Sequence, residues 1–160
     1  MIAAGDALWL QATYTDGALA YAGAPTAVTD FALTTRDGLV NATVTGIDNT
    51  EAWSIVGAFR HYWTPTIWQD IQGGYGEVDQ VQNAALVGPQ LSTAGLDYSW
   101  WYAGTRLNWR PVSGLTFSAD VAYTQIDADN PVIINNTVAP ILTTDDSSSW
   151  AGRLRIQRDF

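Results

Sequence analysis

A strict alternation of apolar and polar side chains, with five of the seven arginines on a single parity, constrains this chain more than any other feature. In 115–126 one face reads Leu115, Phe117, Ala119, Val121 and Tyr123, and the other Thr116, Ser118, Asp120, Ala122 and Thr124. In 97–110 Trp101, Ala103, Thr105, Leu107 and Trp109 alternate with Tyr102, Gly104, Arg106, Asn108 and Arg110. In 52–63 Trp53, Ile55, Gly57, Phe59, His61 and Trp63 alternate with Ser54, Val56, Ala58, Arg60 and Tyr62. The last segment, 149–160, sets Trp150, Gly152, Leu154, Ile156 and Phe160 against Arg153, Arg155, Gln157 and Asp159. A period of two is that of a half-apolar β-strand and excludes an amphipathic helix.

The charged parity has a physical meaning. An arginine facing lipid at the bilayer midplane costs about 2–4 kcal/mol, and about 0–1 kcal/mol near the interface. Arg60, Arg106, Arg110, Arg153 and Arg155 share one face, with Asp70 and Asp120; Arg158 departs from the rule two residues from the end. Trp101 and Trp109 lie eight residues apart on the other face, which spans roughly 26 Å at about 3.3 Å per residue. Allowing for strand tilt, that matches two aromatic girdles around an apolar band about 25 Å tall. Trp53, Trp63, Trp101, Trp109, Tyr123, Trp150 and Phe160 are accordingly the expected membrane-interface aromatics.

Seven strands are expected, at 6–15, 18–22, 52–63, 67–76, 97–110, 115–126 and 149–160. Tight turns are expected at Asp16-Gly17, Thr64-Pro65-Thr66 and Pro111-Val112-Ser113-Gly114, where Gly supplies positive φ and Pro a fixed φ. Three long polar segments, near 23–51, 77–96 and 127–148, separate them. Short turns on one rim and long loops on the other characterise outer-membrane barrels, and this parity puts all three tight turns on one side. Arg36-Asp37-Gly38 could turn a further hairpin between Phe31–Thr35 and Leu39–Thr45. Seven antiparallel strands cannot close a ring, because the first would meet the last in parallel.

Composition narrows the function. Mean hydropathy is −0.03, and no apolar run approaches the roughly 18 residues of a transmembrane helix. With sixteen acids, seven basic residues and a net charge of −9, nucleic acid is excluded as a partner, since that would require a basic patch. The absence of cysteine excludes disulfides and thiolate metal sites. Most acids fall in the expected loops: Asp30, Asp37, Asp48, Glu77, Asp79, Asp127, Asp129, Asp145 and Asp146. They serve solubility, or bind divalent cations or repel anions at a pore mouth, but no complete calcium loop is present. His61 is the one histidine; on the outward parity beside Trp63 it is badly placed for a catalytic base. No catalytic residue, metal site or cofactor is expected.

The terminal strand, Ser149 to Phe160 with its final aromatic, resembles the C-terminal strand of outer-membrane proteins. That resemblance implies recognition by the barrel-assembly machinery. More narrowly, Gly5-Asp6-Ala7-Leu8-Trp9-Leu10-Gln11-Ala12-Thr13-Tyr14-Thr15-Asp16-Gly17, Trp53-Ser54-Ile55-Val56-Gly57-Ala58-Phe59-Arg60-His61-Tyr62-Trp63-Thr64-Pro65 and Arg153–Phe160 resemble the porin family of alphaproteobacteria, the type found in rhizobia and brucellae. The resemblance implies an all-β antiparallel transmembrane barrel of 16 strands, trimeric, embedded in outer-membrane lipid and lipopolysaccharide, for passive diffusion of small hydrophilic solutes and ions. It also implies that residues 1–160 are the C-terminal part of such a barrel, without its N-terminal half, its signal peptide and its constriction loop. Arg60, Asp70, Arg106, Arg110, Asp120, Arg153 and Arg155 are then the expected pore lining. Two other readings stay open: a complete eight-stranded outer-membrane barrel with a structural or adhesion role, and a soluble ligand-binding β-barrel with its apolar face inside. Strand count separates the first, and the exposure of the apolar face the second.

Overall fold

The computed structural model describes residues 5–24, 37–40, 46–80, 97–128 and 146–159. Six long strands form one antiparallel sheet: β1 (Ala7–Asp16), β4 (Glu51–Thr64), β5 (Ile67–Asp79), β6 (Tyr98–Val112), β7 (Leu115–Ala128) and β8 (Ser147–Arg158). They are hydrogen-bonded in the order β1-β4-β5-β6-β7-β8. A separate two-stranded ribbon joins β2 (Gly38–Val40) to β3 (Ile47–Asn49). The fold is all-β, and every pairing is antiparallel.

Two of the tight turns behave as their chemistry requires. Pro65 and Thr66 join β4 to β5, with the Thr64 hydroxyl accepting from the Ile67 amide at 3.0 Å. Ser113 and Gly114 join β6 to β7 with Gly114 at φ 76°, where a side chain would be strained. Its carbonyl accepts from Asp159 at 2.7 Å, tying the turn to the end of β8. Both turns lie at one end of the sheet; the strand ends that the long segments 17–50, 80–97 and 129–146 connect lie at the other.

Two expectations are corrected. Residues 18–22 are not a strand: Leu19–Ala22 form a 3-10 turn capped by Gly23 at φ 69°. Leu19 and Ala22 are its buried residues, three apart, which is the period of a 3-10 turn. Asp16-Gly17 is consequently no hairpin turn; β1 pairs with β4, and Asp16 stands opposite Glu51 at the long-segment rim. The further hairpin expected between Phe31–Thr35 and Leu39–Thr45 lies mostly outside the described residues; Gly38 pairs with Asn49 and Val40 with Ile47. Among the described residues the main sheet has six strands, so β1 and β8 run in opposite directions.

The sheet has no buried core along its middle. Its apolar parity is open: Leu154 is 86% exposed and Trp150 73%, and Ile55, Ile71, Leu107, Trp109 and Ile156 are exposed as well. Burial of such a face is worth about 25 cal/mol per Å², so it calls for an apolar surrounding. Among the described residues no further strand pairs with the outer edge of β8, and β1 and β8 are not paired with each other. The described residues form an open six-stranded wall. The buried residues gather at the long-segment end, where Leu19, Ala22 and Ala24 join Ala52, Val78, Tyr98, Trp100 and Ile126 in one cluster.

Candidate functional site

Cross-strand register brings the inward charges together. Arg60 stands opposite Asp70, Asp70 opposite Arg106, Arg106 opposite Asp120, and Asp120 opposite Arg153. The result is one row of alternating charge across β4, β5, β6, β7 and β8. Opposite charges directly across an antiparallel pair stabilise the sheet, and like charges there would not.

The row is knitted by hydrogen bonds. The Arg60 Nε donates to Asp70 Oδ1 at 2.6 Å. The second oxygen of Asp70 accepts from Asn108 Nδ2 at 3.0 Å, and Ser118 Oγ donates to Asn108 Oδ1 at 2.8 Å. Farther along, Arg106 and Arg153 both donate through Nε to Asp120 Oδ2, at 3.2 and 3.1 Å. Exposure rises toward β8: the side chains of Arg60 and Arg106 are about one-third exposed, that of Arg153 61%. These solvated pairs orient the guanidinium groups more than they stabilise the fold. Trp9, Arg60, Asp70, Gln72, Arg106, Asp120 and Arg153 border a concavity of about 490 Å³.

The other two expected arginines stand apart from the row. Arg155 lies opposite Ser118, and Arg110 lies toward the short-turn end, its guanidinium 5.6 Å from the centroid of the Trp68 ring. Among the described residues neither makes an ion pair. Trp9 is a member of this surface that sequence reasoning missed. It sits opposite Ala58, on the charged face, with the Arg60 guanidinium 5.7 Å from its ring centroid. The parity of β1 is offset from that of β4, which pairing shows and the one-dimensional pattern does not.

On the opposite face the expected aromatics form chains of ring contacts. Toward the long-segment end, Trp101–Tyr123 and Tyr123–Trp150 have centroids 5.1 and 4.9 Å apart, and Trp53–Tyr75 5.6 Å. Toward the short-turn end, Trp109 stacks on Phe117 at 5.5 Å. Trp63 meets His61 edge-on at 4.6 Å. Phe160 lies outside the described residues. His61 is held through Nδ1 by the Asp6 carboxylate at 3.0 Å, a contact that fastens the start of β1 to β4. Asp127 accepts from Gln125 at 2.7 Å. Asp129 and Asp145 lie outside the described residues.

An antiparallel wall with an exposed apolar band on one face and an ordered row of charge on the other belongs to the class of outer-membrane β-barrel channels. Comparison with known families agrees: the model of the Porin subfamily matches residues 1–153, and the chain belongs to that family. Neither the curated proteins nor the solved structures compared with the chain give a match. Membership places the chain in the bacterial outer membrane, in the lipid and lipopolysaccharide setting of porin-type channels, and in a family of channels rather than enzymes.

Proposed function

We propose that this chain is the C-terminal portion of a 16-stranded, trimeric porin for passive diffusion of small hydrophilic solutes and ions, and that the charged row lines its water path. The observation that carries the reading is the alignment of Arg60, Asp70, Arg106, Asp120 and Arg153 on the face opposite the apolar band. Three arginines against two aspartates leave the row one positive charge in excess. Set on a low-dielectric wall, such a row focuses its field into the lumen and weights the passage of anions and dipolar solutes. The exposed Trp53, Trp63, Trp101, Trp109 and Trp150, with the half-buried Tyr123, mark the two lipid boundaries, and Phe160 is the terminal aromatic. Partner strands complete the wall at β1 and β8, and the C-terminal strand is the segment presented to the barrel-assembly machinery.

The test is ion selectivity of the full-length channel in planar bilayers. Arg106→Gln with Arg153→Gln takes the row from one positive charge in excess to one negative. The reversal potential in a salt gradient then shifts toward cation preference. An unchanged reversal potential refutes the assignment of this row to the water path.

A further inference from the structure

The charged face is polar only along part of its length. At the long-segment end the same face carries Val78, Tyr98, Trp100 and Ile126. Side chains of this kind on a water-filled lumen would break the alternation that the rest of the wall obeys. They are not open to water: Tyr98 is 1% exposed, and Ala52, Val78, Trp100 and Ile126 are buried with it. Leu19, Ala22 and Ala24, all buried, complete the cluster. Gly23 passes beside the Trp100 ring, where even a Cβ would stand at 4.0 Å, an ordinary van der Waals contact; its φ of 69°, not crowding, favours glycine.

The segment is also fastened by its backbone. Gly17 donates its amide to Thr50 at 2.9 Å, Thr50 donates to the Asp37 carbonyl at 3.0 Å, and the Leu19 amide donates to Asp37 Oδ1 at 3.0 Å. The 3-10 turn closes on Gly23, whose amide donates to Ala20. Tyr21, the turn's fully outward residue, is 79% exposed, while its neighbour Ala22 is 2% exposed. Trp100 lies six residues from Arg106 along β6, roughly 20 Å at about 3.3 Å per residue. The wall's inner face therefore has two tiers, a solvated charged row and a dry apolar collar above it.

We infer that residues 17–24 are a built-in constriction at the long-loop mouth, folded inward onto the collar, and that they set a size limit on permeating solutes separate from the charged row. This rests on the channel reading proposed above. Long loops lie on the extracellular side of such barrels, so solute entering from outside meets this collar first. Leu19 and Trp100, buried beneath it, are its positioning residues, and Tyr21 is the side chain presented to the passage.

Two measurements on the full-length channel test this. Leu19→Asp places a charge in the apolar cluster and releases the turn; single-channel conductance rises, and larger sugars enter proteoliposomes faster. Unchanged conductance and sugar entry overturn the inference. Because that variant can fail to assemble, Tyr21→Cys and Ala22→Cys are made separately, in a full-length background freed of any other cysteine; residues 1–160 contain none. A bulky membrane-impermeant thiol reagent applied from the loop side then labels position 21 at least about tenfold faster than position 22, whose labelling waits on local opening. Modification at position 21 lowers conductance. Equal labelling rates, or a fully modified position 21 with parental conductance, overturn the constriction. If the parent protein forms no channel at all, it is the proposed function that fails, and the two failures are thereby distinguished.

Discussion

Val121 and Val112 form a matched pair for testing whether the apolar band faces lipid. Both lie on that face, and they are 42% and 54% exposed. Val112 pairs with Leu115 beside the short turn, whereas Val121 lies six residues farther along β7. Six residues at about 3.4 Å each make roughly 20 Å along the strand, or about 15 Å along the barrel axis at a tilt near 40°. In a band about 25 Å tall, that places Val121 near the middle and Val112 at the edge. Val121→Arg is then expected to cost about 2–4 kcal/mol and Val112→Arg about 0–1 kcal/mol. Because the side chain removed is the same, the difference isolates depth. It amounts to about 2–3 kcal/mol, roughly 30- to 150-fold in the ratio of folded to unfolded protein at about 1.4 kcal/mol per tenfold. Equilibrium unfolding of the full-length protein in phospholipid vesicles, followed by tryptophan fluorescence against guanidinium chloride, reads both. Thr124→Arg, on the charged face opposite Tyr102, is the control and costs less than Val121→Arg. Equal costs at 121 and 112, or a larger cost at 124, would refute the assignment of faces.

Other expectations follow from particular contacts. Gly76→Ala drives a Cβ to 2.7 Å from the Trp53 carbonyl and 2.9 Å from the Trp100 ring. Overpacking of this kind costs about 1–3 kcal/mol, read as a lower denaturant midpoint, with faster labelling of a cysteine at position 22. Gly114→Ala meets both its positive φ and a carbonyl oxygen of Asp159 at 2.6 Å. The conformation alone costs about 1–2 kcal/mol, and the loss is checked by the same unfolding curve. Asp70→Asn removes the acid between Arg60 and Arg106, taking the row's excess from one positive charge to two. Its reversal potential should move toward anions, opposite in sign to the double arginine variant; a shift in the same direction would contradict the proposed lining.

How much could be read in advance differs from element to element. Gly57, Phe59 and His61 were separable from Ala58, Arg60 and Tyr62 without coordinates, because a strand's side-chain period is two and slips by a whole face if miscounted. The short turns at Pro65-Thr66 and Ser113-Gly114 were legible for a similar reason, since Pro and Gly fix the local dihedrals on their own. Ala18-Leu-Ala-Tyr-Ala was not. Over five residues an alternating pattern and a three-residue period both fit, and the buried pair Leu19 and Ala22 belongs to the second. A usable signal was present elsewhere: Val78, Tyr98, Trp100 and Ile126 are apolar on the charged parity, and a water-facing wall with such residues requires a cover.

The alternation itself determined which residues share a face in each strand, and hence that a membrane wall with one charged side was available. Single-strand parity, however, carries no information on height. That Arg60, Asp70, Arg106, Asp120 and Arg153 fall in one row, and that Asp120 accepts from two arginines, depends on hydrogen-bonded register across four pairings. That β1 meets β4 and skips the whole of 17–50 was equally invisible, because it is decided by backbone pairing and by burial of the 3-10 turn against distant strands. Local dihedral preference and side-chain period are properties of neighbours in the chain; register and cover are properties of neighbours in space, and only the tertiary structure supplies them.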